Sequence, residues 1–480
     1  MQYLTEPWQH QKKAVDLFAD ANECALFWEM GTGKSKGTIE LLRYKYNKHK
    51  RHLNTLIIGP PIVVQNWCRE FEIHSKIKRI HPLQGKITKR LEDAKEIFAK
   101  EGELGCTFIT NYRALLNDEF FAWISKQFRP ECIVLDEAHY IKDGQSKRTK
   151  RCVSLGKNAR YKIILTGTPI LSSPIDLFYP FKFLDNGRSF GSTLSGFRAK
   201  YFVNKNEFIA AKPYPEWVFR KEYEKEITER IEAKSMYVSK AECLDLPPLI
   251  VKEIPLELSD PQRKAYKEMK RDFVTYILDH RDKLLKPAVA TLAVTKGLRL
   301  MQIASGFVNT EGGESVVFEK NPRVDRLRED LATLTPGHKV IIWAVFKENY
   351  KAIRKVVESL GLGDAYVEVH GGVSPKAREA AIARFTTDPT CRVFMGHPKS
   401  GGIGINLVSA SYTIRYSKDF NLGDYLQSRD RNHRGGSEIH EKITHLEYVA
   451  ENTLEEKITK ALMAKQTISA SILCELGKEL

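Results

Sequence analysis

The sequence lacks any apolar run near the ~20 residues that cross a bilayer as a helix. Its best apolar stretch, Leu56 to Val64, is interrupted by Pro60 and Pro61, so no membrane association is expected. The N-terminus, Met1-Gln2-Tyr3-Leu4-Thr5-Glu6-Pro7, has no basic segment leading into a hydrophobic one, and no secretory signal is expected. Cysteine is sparse. The 8 cysteines are scattered from Cys24 to Cys474 without a CxxC pair, which argues against a zinc module or a disulfide framework. Short-period repeats and low-complexity tracts are absent. A soluble protein of a reducing, intracellular compartment is the simplest expectation.

What is present is enough apolar material for real cores. Of 480 residues, 42% are hydrophobic and 28% charged; at roughly 150 residues per domain this length suggests about three domains or two large ones. Lys and Arg number 76 against 60 acids, a formal net charge of +16. That excess favours an anionic partner, most simply nucleic acid. Short apolar runs alternate with longer amphipathic ones, as in a parallel sheet with crossover helices. Candidate strands are 24–28, 53–58, 107–110, 132–135 and 162–165, then 340–343, 366–369, 392–395, 412–415 and 443–448. Two α/β lobes are expected, residues 1–185 and 256–480, with 186–255 as insertion and linker. Residues 260–305 read as helical, with Ser259 as N-cap and Pro261 in the first turn. Thr453-Leu454-Glu455-Glu456 has capping-box spacing and opens a C-terminal helix.

Three local patterns carry chemistry. Glu29-Met30-Gly31-Thr32-Gly33-Lys34-Ser35 follows an apolar strand and opens a helix. Glycines let successive N–H groups face one concavity, and a helix N-terminus favours anions. Lys34 is expected on the β- and γ-phosphates and the Ser35 hydroxyl on Mg²⁺. The strict P-loop pattern wants Gly where Trp28 stands. Next, Asp136-Glu137-Ala138-His139 directly follows Ile133-Val134-Leu135. A carboxylate at a strand end, Asp136, suits Mg²⁺ opposite a P-loop, and Glu137 suits the activation of water. Finally, Arg431 and Arg434 lie three apart, on one face of a helical turn. Guanidinium groups there would neutralise a transferring phosphoryl group. Together these parts describe an ATP site completed by a second lobe.

Order and wording resemble the Swi/Snf family of DNA translocases within helicase superfamily two, from about Pro7 to Ile458. Pro7-Trp8-Gln9-His10-Gln11 resembles the adenine-reading motif, with Gln11 in the key place. Pro60, Trp67 and Glu70 fall in a segment resembling the family's next motif, and Thr110-Asn111-Tyr112 in the one after. The most family-specific stretch is the DEAH box with Ile141-Lys142-Asp143, Ser146, Leu165-Thr166-Gly167-Thr168-Pro169-Ile170 and Asp176-Leu177-Phe178. His370-Gly371, Arg378, Ser400 to Leu407, and Gln427 to Arg434 resemble second-lobe motifs, and Thr453 to Ile458 the closing helix. Departures are Trp28, Phe420-Asn421-Leu422 and Gly435-Gly436-Ser437.

The resemblance implies two RecA-like lobes and ATP-driven translocation on double-stranded DNA, with ATP and Mg²⁺ as cofactors. It implies that Met30 to Ser35, Gln11, Arg431 and Arg434 contact ATP. Further, it implies that His139, Thr166 and Gln427 couple ATP to DNA, and that Pro60, Thr110, Tyr112, Gly402 and Asn406 contact DNA. Such contacts go mostly to phosphate and sugar, so little sequence preference is expected. No segment reads as a zinc finger, reader domain or nuclease. A compact motor in a bacterial or virus-infected cytoplasm is expected rather than a chromatin remodeller. The rivals are a strand-separating or branch-remodelling helicase, an RNA-stimulated ATPase, and an idle DNA-binding scaffold. Trp28 is expected to serve packing rather than nucleotide contact.

Overall fold

Strands of a sheet covered on both faces read as continuous apolar runs whose alternate residues serve opposite cores. A computed structural model shows this directly. It describes residues 3–61, 63–167, 173–206, 217–279, 287–310, 314–401, 405–419 and 421–460. The strands of the first half are β1 (Glu23–Trp28), β2 (Thr55–Gly59), β3 (Ile80–Pro82), β4 (Thr107–Asn111), β5 (Cys132–Asp136), β6 (Tyr161–Leu165), β7 (Phe202–Asn204), β8 (Trp217–Phe219) and β9 (Ser235–Val238). Those of the second are β10 (Leu249–Leu256), β11 (Phe307–Asn309), β12 (Ser315–Val317), β13 (Val340–Trp343), β14 (Tyr366–Val369), β15 (Val393–Gly396), β16 (Tyr412–Arg415) and β17 (Ile443–Ala450).

Two units result, one comprising Met1–Val203 with Trp217–Leu244 and the other chiefly Asp245–Lys465. The first is built on a parallel sheet of order β3-β4-β2-β5-β6-β1-β9. Ala25, Phe27, Ile58, Ile133 and Leu135 face one core, and Leu26, Trp28, Ile57, Val134 and Ile163 face the other. The second unit has a parallel sheet of order β10-β17-β16-β13-β15-β14. Val340, Ile342, Met395, Ile414 and Tyr448 share its core. The mixed α/β architecture with two parallel sheets agrees with the sequence expectation. No described helix is long and apolar enough to cross a membrane.

The segment 186–255 is divided rather than set apart. It carries helices, but β9 closes one edge of the first sheet and β10 one edge of the second. The charged run Arg220 to Lys234 masks the short strand that follows it, and β10 carries Lys252 and Glu253 side by side because its edge is largely exposed. The expected helical stretch 260–305 is two helices, Asp260–Asp279 and Pro287–Ala304. Thr453 opens the C-terminal helix through its Oγ1, which accepts from the Glu455 N–H at 3.1 Å. Residues 461–480 lie outside the described part.

The second sheet buries charge as well as apolar surface. On β17, Glu447 pairs with Arg415 at 3.1 Å and Lys418 at 3.0 Å. Burial would raise its pKa, but the two cations hold it at about 2. Two residues earlier, burial pushes the neutral His445 ring down to about 3 from 6.5, and its Nε2 meets Asn432 Oδ1 at 3.0 Å. As pH falls below 6.5, the unfolded chain takes up a proton on His445 that the folded ring refuses until about 3, so stability is lost across that window. Glu447 adds a further loss below 4.5, as pH falls towards about 2. His445→Gln is expected to remove about 2 kcal/mol of the loss between pH 6.5 and 4.5, read from urea unfolding at both pH values. An unchanged difference between the two would contradict this.

Candidate functional site

In the first sheet β2, β5, β6 and β1 are neighbours, so the turns after their C-terminal ends share one edge, where parallel sheets bind ligands. Pro60 follows β2, Glu137 follows β5, Thr166 follows β6 and the glycine-rich loop follows β1. The loop is shaped by positive φ at Gly31 (86°) and Gly33 (77°). Gly33 caps helix α2, Lys34–His49, named here after helix α1, Gln9–Phe18. The α2 N-terminus therefore points its N–H groups at the loop's concavity.

The loop is pinned from inside and from α1. Lys34 Nζ donates to the Trp28 and Glu29 carbonyls at 2.8 and 3.2 Å. Thr32 Oγ1 donates to the Glu29 carbonyl at 2.7 Å. Gln11 Nε2 donates to the Gly33 carbonyl at 3.2 Å, and His10 Nε2 meets the Thr32 carbonyl at 2.8 Å. Gln11 thus lies against the loop. Trp28 is fully buried in the core, edge-on to His10 at 4.8 Å, so its ring serves packing. Met30, Gly31 and Ser35 are half-buried.

Asp136 and Glu137 stand beside the loop. Asp136 is 8% exposed. Burial, reinforced by Glu137, lifts its carboxyl to about 6; the Trp67 N–H and the Lys34 charge oppose the rise. Trp67 Nε1 donates to Oδ2 at 2.9 Å, and Tyr112 donates its O–H to the Asp136 carbonyl at 2.9 Å. Glu137 adopts a left-handed φ of 54°, uncommon for a residue with a side chain and a mark of functional turns. Its Oε2 lies 3.2 Å from His139 Nδ1 and 3.4 Å from Thr166 Oγ1, and those two are 3.3 Å apart. The residues expected to couple, His139 and Thr166, therefore converge on Glu137 itself. Trp67 was placed in a motif by resemblance, but its contact with Asp136 carries no signal in the sequence.

In the second unit, Arg431 Nε donates to the Gln427 carbonyl at 2.9 Å, and Arg431 and Arg434 both reach the Ile405 carbonyl, at 3.3 and 3.4 Å. Arg431 is buried and Arg434 half-buried. Asn432 Nδ2 donates to the Ala410 carbonyl at 3.1 Å. The arginine segment and the loop 405–410 thus form one fixed piece.

The expected DNA contacts fall unevenly. Pro60, Thr110 and Tyr112 are buried, and Asn406 is exposed; Gly402 lies outside the described residues. Tyr112 is turned inward because its hydroxyl serves Asp136 and its ring stacks on Tyr140, at 5.5 Å and 2°. Of the basic stretch 142–151, Lys142 pairs with Asp176 at 3.4 Å and Lys147 with Asp118 at 2.9 Å; Arg151 also pairs with Asp118. Those three are tied down within the unit.

A glycine-rich loop leading into a helix, with a buried carboxylate pair two strands away, defines a P-loop nucleotide-binding fold. Residues 10–305 match the SNF2-related domain and residues 322–436 the helicase conserved C-terminal domain. The chain belongs to the SNF2-related family. It is 24% identical to the TATA-binding protein-associated factor MOT1 of Saccharomyces cerevisiae, covering 97% of this chain and 27% of that protein. It is 26% identical to an uncharacterized ATP-dependent helicase of Mycoplasma pneumoniae, covering 93% and 40%. The chain thus spans less than half the length of these curated relatives. A solved Sulfolobus solfataricus SWI2/SNF2 ATPase core in complex with dsDNA is 24% identical, with 99% of this chain and 95% of that one covered and a TM-score of 0.44. Relatives in both yeast and a mycoplasma give no preference for the bacterial or viral cytoplasm expected above.

Gly33 provides a direct probe of the loop. A Cβ there would come 2.4 Å from Gln11 Nε2 on a backbone at φ +77°. Gly33→Ala is expected to weaken nucleotide binding about tenfold or more, from ~1–2 kcal/mol of left-handed strain plus displacement of Gln11. Equilibrium binding of fluorescent ADP checks this, with circular dichroism unchanged; affinity equal to the parent's would contradict the assignment.

Proposed function

We propose that the chain is an ATP-driven motor that hydrolyses ATP to ADP and phosphate while translocating on double-stranded DNA without sequence preference. The observation that carries this reading is the gathering at one sheet edge of the Lys34 loop and the Asp136–Glu137 pair, with Glu137 held by His139 and Thr166. The positive-φ loop and the α2 N-terminus suit phosphates, and a hydroxyl plus a carboxylate suit Mg²⁺, which is commonly bound by one or two protein ligands plus phosphate.

In this reading Gln11 meets the adenine, and residues 30–34 cradle the phosphates. Ser35 and Asp136 would hold Mg²⁺, whose chemistry is to neutralise charge on phosphate oxygens. Glu137 orients and deprotonates water, a role that its contacts with His139 and Thr166 support. Arg431 and Arg434 neutralise charge on the transferring phosphoryl group. His139, Thr166 and Gln427 couple that chemistry to DNA. Among the DNA contacts, Asn406 acts by its side chain, as its exposure permits. Pro60, Thr110 and Tyr112 act by main chain or by supporting the surface.

Lys34→Ala and Glu137→Gln are each expected to cut ATP turnover by about 100-fold or more, with duplex DNA binding preserved. Retained hydrolysis in both variants sinks the site assignment. Stimulation is expected to be strongest with plain duplex at fixed salt; strongest stimulation by single strands or forks would favour a helicase, and by RNA an RNA-dependent ATPase. Duplex affinity is expected to fall by roughly 0.9 log units per log salt for each phosphate neutralised. A flat salt response would contradict a phosphate-dominated interface.

A further inference from the structure

Three tryptophans are fully buried, Trp28, Trp67 and Trp343. Trp28 and Trp343 leave their indole N–H groups without a hydrogen-bond partner among the described residues. Trp67 alone of the three directs its N–H onto a carboxylate, Asp136 Oδ2, at 2.9 Å. Packing in this protein therefore tolerates an orphaned indole, and the Trp67 contact is more than core filling.

The geometry that delivers the indole is built in. Trp67 sits on α3, Val63–His74, with Phe71 at 6.0 Å between ring centroids. Gly59 lets α3 approach: a Cβ there would meet Val63 Cγ2 at 2.6 Å and Asp136 Cβ at 3.3 Å. An aspartate's terminal torsion is broad, so an unheld carboxylate samples many orientations. Indole is a donor only, so Trp67 can hold an accepting oxygen and cannot exchange roles with it.

We propose that Trp67 is a positioning residue for metal-bound nucleotide, holding the Asp136 carboxylate in the one orientation that receives Mg²⁺. This rests on the assignment of Asp136 to Mg²⁺. Partners one shell out from a metal ligand typically govern 10–100-fold in metal affinity. Trp67 touches neither nucleotide nor metal in this scheme, and acts only through Asp136.

The test is the equilibrium affinity of the full chain for fluorescently labelled ADP, in Mg²⁺ and in EDTA. Trp67→Phe, which keeps the ring and removes the donor, is expected to lower the Mg²⁺-dependent gain in affinity about tenfold, with affinity in EDTA unchanged. Trp67→His, which restores an N–H, is expected to recover part of the gain. Asp136→Asn is expected to abolish it, and Trp67→Phe to add nothing in that background. An equal Mg²⁺ gain in parent and Trp67→Phe overturns the proposal. So does an equal loss in Mg²⁺ and EDTA, which marks a merely structural role. Should Trp67→Phe fail to fold, Trp67→His decides: loss of the Mg²⁺ gain despite its N–H overturns the proposal, and retention supports it. A full gain in Asp136→Asn instead defeats the metal assignment itself, which separates the two failures.

Discussion

The first unit is organised around one costly residue, a carboxylate at the end of the central strand β5. Burying such a group raises its pKa and is tolerated only with compensating donors or charge. Asp136 has the Trp67 indole, the field of Lys34 and the Tyr112 hydroxyl on its main chain. Each donor comes from a different element, and each element is placed by the sheet. Lys34 follows β1, Trp67 lies beyond β2 and Tyr112 follows β4. The strand order makes these arrivals coincide. The parallel sheet is therefore the frame that makes a buried acid affordable.

Compensation at Asp136 also fixes its neighbour. With the Asp136 carbonyl held by Tyr112, the chain turns through a left-handed Glu137, whose side chain meets His139 and Thr166. Thr166 belongs to β6's exit, and its N–H donates to the Leu26 carbonyl of β1 at 3.2 Å. The acid expected to act on water is thus tied through one residue to the strand that carries the phosphate loop.

Much of this was legible. The P-loop, the DEAH segment and the arginine motif combine scarce residue types at spacings with a physical meaning, and the predicted strands at 24–28, 132–135 and 340–343 are uninterrupted apolar runs buried throughout. The strand at 366–369 has instead the half-buried pattern of an edge. Other features were not legible. β9 and β10 are edge strands, where one exposed side relaxes the apolar pattern and nearby charge hides the period. The inward turn of Tyr112 was hidden too, because an aromatic with a polar tip suits a surface and a buried acceptor equally. Its ring stacks on Tyr140, and Arg148 lies over Tyr140 at 5.4 Å; only three-dimensional proximity reveals that stack.

In the second unit the same economy joins two motifs that are distant in sequence. The Ile405 carbonyl accepts from both Arg431 and Arg434, and the Arg431 carbonyl accepts in turn from the Leu407 N–H at 3.0 Å. Asn432 extends the clasp to Ala410 and to His445 on β17. Each guanidinium is thus turned toward the main chain of the 405–410 loop. Asn406 is the exposed residue of that loop, its Oδ1 accepting from the Val408 N–H at 3.3 Å. Asn406 is flanked by the two residues that meet Arg431, Ile405 through its carbonyl and Leu407 through its N–H. The surface residue Asn406 and the arginine segment are thus neighbours, joined by hydrogen bonds between guanidinium groups and the main chain on either side of it.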